Sequence, residues 1–342
     1  MLLSKDMETI ILDHGTGGLL SQDLVTNVIA SNLGDRYLGI MEDSAVFKVQ
    51  SQTLAMTTDS FVVDPIFFKN GDIGKIAICG TVNDLAVSGA TPCYLTLGII
   101  LEEGFPMKDF IRILRSIKET AIEANIYIVA GDTKVVKKNE LDKIYLNTSG
   151  IGVFSNTSPK LTLAKIEAGD DIIITGMLGN HSIHILSMRE GLGYENNVLS
   201  DCAPLNHMIA EVIKVGGMDI KYMRDLTRGG LGSALNEISD AIHKELIVNQ
   251  CDLPIMRETQ MAADMLGINP LYLANEGCLS IICKPNITSK VLNTLHKNKY
   301  GINAVKVGFV TENNKQQVTG LRVDGTSEII EHLYGQELPR LC

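Results

Sequence analysis

An α/β (α+β) fold in two domains is what this sequence predicts, and three observations predict it. The chain has 342 residues, long for one domain of roughly 100–200 residues. Strand-like and helix-like hydrophobic patterns alternate from one end to the other. A polar stretch ending in proline, Ser155-Asn156-Thr157-Ser158-Pro159, interrupts the alternation near the middle and reads as a linker. Apolar residues make up 45% of the chain, enough to bury cores without metal or disulfide staples.

Ala45–Val49 and Thr53–Thr57 read as short strands around the turn Gln50–Ser51–Gln52. Lys75–Gly89 places apolar residues at 78, 82, 85 and 86 on one helical face. Cys93–Leu101 is a strand with Cys93, Leu95 and Leu97 on one side. Met107–Asn125 is the clearest helix, because Phe110, Leu114, Ile117 and Ala121 recur at helical spacing. Ile126–Val129 reads as a short buried strand that stops at Ala130-Gly131-Asp132-Thr133-Lys134, and Ile144–Phe154 as another. Past the linker, Ile172–Thr175 is a strand, and His181–Arg189, Leu205–Val215 and Leu231–His243 are helices. Cys278–Cys283 is a strand, Thr288–Lys297 a helix, and Val305–Val310 and Gln317–Val323 are strands. The expected units are therefore 1–158, 159–333 and a flexible tail, 334–342, that lacks apolar periodicity.

Composition excludes several function classes. Lys plus Arg total 30 against 40 Asp plus Glu, so the basic face that binds a phosphate backbone is missing and nucleic acid is not an expected partner. The longest apolar stretch, around Cys93–Leu101, is broken by Thr96 and Gly98. It falls far short of the roughly 18 residues that suggest a membrane span. Asp6 and Glu8 precede any apolar run of signal-peptide length. Seven scattered cysteines form no disulfide framework and suit a reducing, cytoplasmic setting.

No phosphate-binding G-x-x-x-x-G-K-[ST] and no dinucleotide G-x-G-x-x-G is present. Acids instead sit at strand ends and turns beside small or hydroxyl residues. They are Glu42-Asp43-Ser44, Thr57-Thr58-Asp59-Ser60, Val82-Asn83-Asp84, Gly131-Asp132-Thr133-Lys134 and Arg224-Asp225-Leu226-Thr227-Arg228-Gly229-Gly230. Mg²⁺ takes one or two carboxylates together with phosphate oxygens. Glycines beside the acids allow backbone N–H groups to approach phosphates, and His14-Gly15-Thr16-Gly17-Gly18 is a further candidate. Asp and Gly also simply mark turns, but five such motifs in one chain weaken that plainer account.

Cys342 is the last residue. The arm from Tyr334 to Cys342 can span roughly 26–29 Å when extended, enough to reach its own site or a partner's. The adjacent α-carboxylate disfavours the thiolate, the nucleophilic form, so this cysteine suits carrying a group placed on it by another enzyme. His181 and His184 share a helix face without a visible third metal ligand, and a structural or surface pair is the expectation. Cys278 and Cys283 fit a core. Gly229-Gly230 opens a helix, either as an anion site or as a tight turn.

In order along the chain stand Asp43-Ser-Ala-Val, Thr57-Thr-Asp-Ser, Gly80-Thr-Val-Asn-Asp-Leu-Ala86, Ala130-Gly-Asp-Thr-Lys134, Asp225-Leu-Thr-Arg-Gly-Gly230, Ala274-Asn-Glu-Gly277 and Pro339-Arg-Leu-Cys342. Together they resemble the HypE family, the carbamoyl dehydratases of [NiFe]-hydrogenase maturation. That family belongs to the ATP-using superfamily of aminoimidazole ribonucleotide synthetase and selenophosphate synthetase. The terminal Pro-Arg-x-Cys singles out HypE within it. Glu42 stands where the family often has Asp, and Leu341 where it often has Ile.

The resemblance implies an N-terminal domain whose strands pair across a homodimer, and a C-terminal α/β sandwich. It implies that the carbamoyltransferase HypF loads a carboxamide onto Cys342. ATP then dehydrates it to a thiocyanate, and the cyanide passes to iron on a HypC–HypD complex. It further implies Lys134 and Glu276 as catalytic bases beside Cys342, and Asp43, Asp59, Asp84 and Asp225 around Mg²⁺. Thr58, Asn83, Gly131, Asp132 and Thr133 would line the nucleotide site. The tail would move between an inward pose for dehydration and an outward pose for loading and delivery. Two other classes remain open on the residues alone: another superfamily enzyme, such as a selenophosphate synthetase or small-molecule kinase, and a nucleotide-sensing scaffold that does not turn ATP over.

Overall fold

The computed structural model describes residues 18–30, 44–49, 52–155, 158–335, 338 and 340–342. A short helix, α1 (Gly18–Asp23), runs on as a wide turn, α2 (Leu24–Ala30). The first sheet follows with β1 (Ala45–Val49) and β2 (Gln52–Phe61), and a small hairpin with β3 (Phe67–Phe68) and β4 (Gly71–Asp72). After helix α3 (Ile73–Val87) come β5 (Thr91–Glu102), helix α4 (Met107–Ala124), β6 (Tyr127–Val136) and β7 (Ile144–Val153). The sheet order is β1-β2-β7-β5-β6. Only β5 and β6 run parallel, as the crossover through α4 requires.

Helices α3 and α4 cover one face of this sheet. Asp72 caps α3 by accepting the Gly74 and Lys75 N–H groups at 2.8 and 3.0 Å. The sequence suggests one apolar face for α3, yet fourteen of its fifteen residues are buried. The reason is position: α3 is wedged between the sheet, α4 and the second unit, where Ala86 and Val87 join a core containing Leu161, Leu205 and Met208. The other face of the sheet is open and carries exposed Phe47, Met56, Tyr94, Ile100, Tyr127 and Ile151. Strand β6 departs from expectation in two ways. It continues through Gly131-Asp132-Thr133-Lys134 by pairing with Leu97–Ile100, and it is exposed because it forms the sheet edge.

The second sheet holds β8 (Asp171–Ile174), β9 (Ile220–Asp225), β10 (Leu246–Asn249), β11 (Leu279–Cys283), β12 (Val305–Val310), β13 (Val318–Leu321) and β14 (Ser327–Ile330). Their order is β14-β13-β10-β12-β8-β11-β9. Helices α5 (Asn180–Glu190), α6 (Asn206–Gly216), α7 (Gly230–Ile242), α8 (Arg257–Leu266) and α9 (Thr288–Leu295) complete the unit. Strand β8 is buried on both faces. Ile172 and Ile174 pack with Leu231 and Leu235 of α7, while Ile173 packs with Met208 of α6 and Val291 of α9. Cys278 and Cys283 are core residues, as expected. Strands β9, β10 and β14 and helix α8 were not evident from pattern.

Among the described residues no helix is long and apolar enough to cross a membrane. The closeness of α3 to the first sheet gives a test. A Cβ at Gly150 would lie 2.7 Å from Thr81 Cγ2 and 2.8 Å from Leu85 Cδ1. We expect Gly150→Ala to destabilise the chain by about 1–3 kcal/mol in urea denaturation; an unchanged midpoint would contradict this packing.

Candidate active site

Asp59, Asp225 and Glu276 lie within electrostatic reach of one another, and Asp84 sits on α3 nearby. Asp59 lies on the helix-facing side of β2 and accepts the Thr81 hydroxyl of α3 at 2.9 Å; Arg228 reaches it at 3.5 Å. Asp84 of α3 accepts the Thr57 hydroxyl at 2.9 Å. Asp225 ends β9 and accepts the Thr227 hydroxyl at 3.1 Å. Burial pushes its carboxyl up; the Asp59 charge adds to this, and Arg224 and Arg228 oppose it. Glu276 precedes β11 and is only 2% exposed. Its N–H donates to Asp201 Oδ1 at 2.9 Å.

The Glu276 carboxyl is the least compensated group in the cluster. Its Oε1 is buried without a hydrogen-bond partner, as is Asp201 Oδ2. Burial holds Glu276 well above the usual carboxylate range, with Cys202, Asp201, Asp225 and Asp59 adding to it. Burial likewise pushes Asp201 up to about 6. An acid held in this way rests protonated, and it serves as a general base only once a cation entering the cluster ionises it. The local sequence makes this possible: a Cβ at position 277 would lie 1.8 Å from the Asp201 carbonyl, so only glycine lets the two segments meet.

The tail is docked inward on the same cluster. The Val62 N–H donates to a terminal carboxylate oxygen of Cys342 at 2.9 Å, and the Asp64 N–H to the Arg340 carbonyl at 3.2 Å. Arg340 Nε returns a bond to the Val62 carbonyl at 2.8 Å. Arg189 also holds the Arg340 carbonyl, and His181 Nε2 holds the Leu341 carbonyl at 2.7 Å. Leu341 is buried in the first core, and Cys342 packs against it. Burial pushes the Cys342 thiol up to about 12; Glu276, Asp59 and Asp225 add to this and Arg228 opposes it. Cys342 and Glu276 are thus electrostatic neighbours within one chain.

The other expected site residues divide between two faces of the first sheet. Asp59 pairs across the strands with Thr148, and Thr148 with Leu97, on the helix side. Thr58 pairs with Ser149 and hydrogen-bonds its hydroxyl at 2.9 Å, on the open side. Asp132 and Lys134 pair with Gly98 and Ile100, also on the open side, whereas Gly131 and Thr133 alternate to the other. From β2 to β6 is three strand spacings, about 14 Å. Lys134 is 70% exposed and paired to Asp132 at 2.7 Å, so one chain does not bring it to Cys342. Asn83 is engaged elsewhere: its amide holds the Ala203 carbonyl at 3.1 Å and the Leu205 N–H at 2.7 Å. Asp43, Glu42 and residues 14–17 lie outside the described residues. Gly229 and Gly230 both take a positive φ, and a Cβ on Gly230 would meet the Leu271 and Leu273 carbonyls at 2.6 Å.

Among the described residues no three His, Cys, Asp or Glu side chains converge as a metal cage. Asp59, Asp84 and Asp225 instead offer separate carboxylates that phosphate oxygens would complete.

Comparison with known proteins shows the family. Residues 41–154 match the AIR synthase related N-terminal domain, and residues 167–320 the corresponding C-terminal domain. The carbamoyl dehydratase HypE of Escherichia coli (strain K12) is 37% identical over 341 residues, covering 98% of this chain and 100% of the relative. The chain belongs to the HypE family. The HypE of Rhodobacter capsulatus is 39% identical over 340 residues, with 98% of each chain covered. A HypE structure solved in complex with ATP superposes with a TM-score of 0.81 at 38% identity, covering 98% of this chain and 100% of that one. A chain of a HypE–HypF complex gives a TM-score of 0.85 at 39% identity, covering 91% and 99%. Thiamine monophosphate kinase from Aquifex aeolicus, at 17% identity and a TM-score of 0.63, covers 91% of this chain and 99% of its own and shares the fold.

Sequence reasoning missed Asp201, Arg189 and the segment Val62–Asp64. Their bonds run to backbone groups, which leave no residue pattern. It did single out the His181/His184 pair, and the expectation of a structural role holds: both rings are buried and hydrogen-bonded to protein groups. The inward pose has a direct consequence for the thiol. A shift from 9.0 to about 12 lowers the thiolate population at pH 8 by about a thousandfold. We expect iodoacetamide to modify Cys342 at least tenfold more slowly than the exposed Cys251, as read by peptide mass spectrometry. Equal rates would contradict the docked pose.

Proposed function

We propose that this chain is an ATP-dependent carbamoyl dehydratase that acts on its own C-terminal cysteine and supplies the cyanide ligand of a [NiFe]-hydrogenase iron centre. The observation that carries the reading is the docking of Cys342 beside the buried, uncompensated Glu276. The likeness to HypE relatives and to a HypE–ATP structure supports it.

The substrate is a carboxamide, S–C(=O)–NH₂, on the Cys342 sulfur, loaded by HypF. Its oxygen attacks the γ-phosphorus of ATP, the bond to ADP breaks and ADP leaves, and a base takes one N–H proton, giving an S–C(=NH)–O–PO₃ imidate. The second N–H proton then leaves, the C≡N bond forms, and the C–O bond breaks to release phosphate. Glu276 is the base nearest the sulfur. Asp59, Asp84 and Asp225, together with Asp43, would hold Mg²⁺, which supplies charge neutralisation for phosphoryl transfer. Arg228 sits where it can neutralise the same charge.

Lys134 and the open-face groups Thr58 and Asp132 stand apart from Cys342 within one chain, so they join the site only when that face is covered. The exposed apolar residues on it exceed what a monomer needs, and a second copy of this chain is the cover we propose. That homodimer completes the nucleotide site. The HypC–HypD complex would take the cyanide once the tail swings outward. A small-molecule kinase built on this fold would not need the tail, and the set of bonds that secures Arg340, Leu341 and Cys342 favours the carrier reading.

The test is to incubate the chain with HypF, carbamoyl phosphate and Mg·ATP, then map Cys342 by mass spectrometry. Addition of a carboxamide followed by loss of one water is expected. Absence of any Cys342 adduct with active HypF would refute the proposal. Glu276→Gln should load normally yet stall at the carboxamide, with dehydration slowed by about 10²-fold or more; full dehydration in that variant would remove Glu276 from the mechanism.

A further inference from the structure

His181 has no place in the chemistry just proposed, yet its imidazole is fully buried and bonded at both nitrogens. Nε2 lies 2.7 Å from the Leu341 carbonyl, and Nδ1 lies 2.8 Å from Ser200 Oγ. The carbonyl only accepts, so Nε2 carries the hydrogen. Ser200 Oγ already accepts the Cys202 N–H at 3.2 Å, which leaves its own hydrogen to donate to Nδ1. The result is a directed chain from Ser200 through a neutral ring to the residue before the carrier cysteine.

The surroundings fix this ring. Phe68 stands edge-on to it, with centroids 5.7 Å apart and an interplanar angle of 83°. His184, one turn along α5, uses the opposite tautomer. Its Nδ1 donates to the Val198 carbonyl at 2.8 Å, and its Nε2 accepts the Lys69 N–H at 2.9 Å. It thereby seats the backbone beside Phe68. The segment that orients His181 is also the one that positions Glu276: Ser200 is followed by Asp201, whose Oδ1 takes the Glu276 N–H.

We infer that His181 is a positioning residue, a neutral latch that holds the Leu341 carbonyl and so sets the Cys342 sulfur against Glu276 during dehydration. This rests on the dehydratase reading above. Because the latch pairs no charges, it releases without separating an ion pair, which suits a tail that must leave for loading and delivery. Burial keeps the ring neutral by lowering its pKa to about 4. Arg189 and the Val62–Asp64 backbone secure the neighbouring residues, so among the described residues His181 is the group that holds the carbonyl adjacent to the carrier.

The experiment uses full-length chains whose Cys342 has been loaded by HypF, desalted, and started with Mg·ATP. The readout is loss of one water from Cys342 against time. His181→Leu removes the donor and should slow dehydration about tenfold. The KM for ATP and the rate of loading should stay at wild-type values. His181→Gln keeps an N–H near the Nε2 position and should restore most of the rate. Ser200→Ala, which leaves the ring in place, should slow dehydration about threefold.

A wild-type rate in His181→Leu, or a His181→Gln rate as low as that of His181→Leu, would overturn the latch. If His181→Leu does not fold, wild-type dehydration in Ser200→Ala overturns it by itself. Wild-type chains that load but never lose water would instead refute the dehydratase reading, and the latch with it.

Discussion

The bond from the Val62 N–H to the terminal carboxylate of Cys342 is the contact on which the rest of the site depends. With the Asp64-to-Arg340 bond it adds the chain's end to the segment that follows β2. Main-chain pairing of this kind fixes position to within a few tenths of an ångström and is indifferent to side chains. It brings a terminal thiol, otherwise at the end of a long arm, to an enclosed acid cluster. Arg340 takes a left-handed φ of 58° to do so, a conformation uncommon outside glycine that its bonds to Val62 and Arg189 secure.

Once docked, the tail meets a strongly acidic surrounding. Asp59, Asp225 and Glu276 all bear on the Cys342 thiol, with Arg228 the opposing charge. Burying several like-signed carboxylates is costly unless some are protonated or a cation joins them. The arrangement makes physical sense for a site that receives Mg·ATP: the aspartates meet the metal, and Glu276 stays with the tail. Burial also keeps the inward thiol protonated, so the sulfur attacks the incoming carboxamide donor only when the tail is outward.

Much of this architecture is legible in the sequence. Helix α4 follows from the spacing of Phe110, Leu114, Ile117 and Ala121, and β8 from its unbroken isoleucines. Strand β9 was hidden because Lys221 and Arg224 sit in a buried strand, where each is neutralised by a partner far along the chain, Glu167 and Glu237. Strand β6 looks buried in sequence because Ile128 and Val129 are apolar, but they lie at a sheet edge. The acid motifs single out Asp59, Asp84 and Asp225, and the resemblance singles out Glu276. They could not separate the two faces of the first sheet, which places Lys134 apart from Cys342, because strand register is not written in any one motif. The latch was invisible for a related reason: His181 binds a backbone carbonyl, and carbonyls are the same at every residue.

The docked tail is tested most directly by amide hydrogen exchange at Val62 and Asp64. Both N–H groups have their acceptors in the last three residues. Removing residues 340–342 should speed exchange at these two amides by about tenfold or more, while amides of the central strand β7 keep their protection. If Val62 and Asp64 exchange at the same rate with and without residues 340–342, the inward placement of Cys342 is wrong.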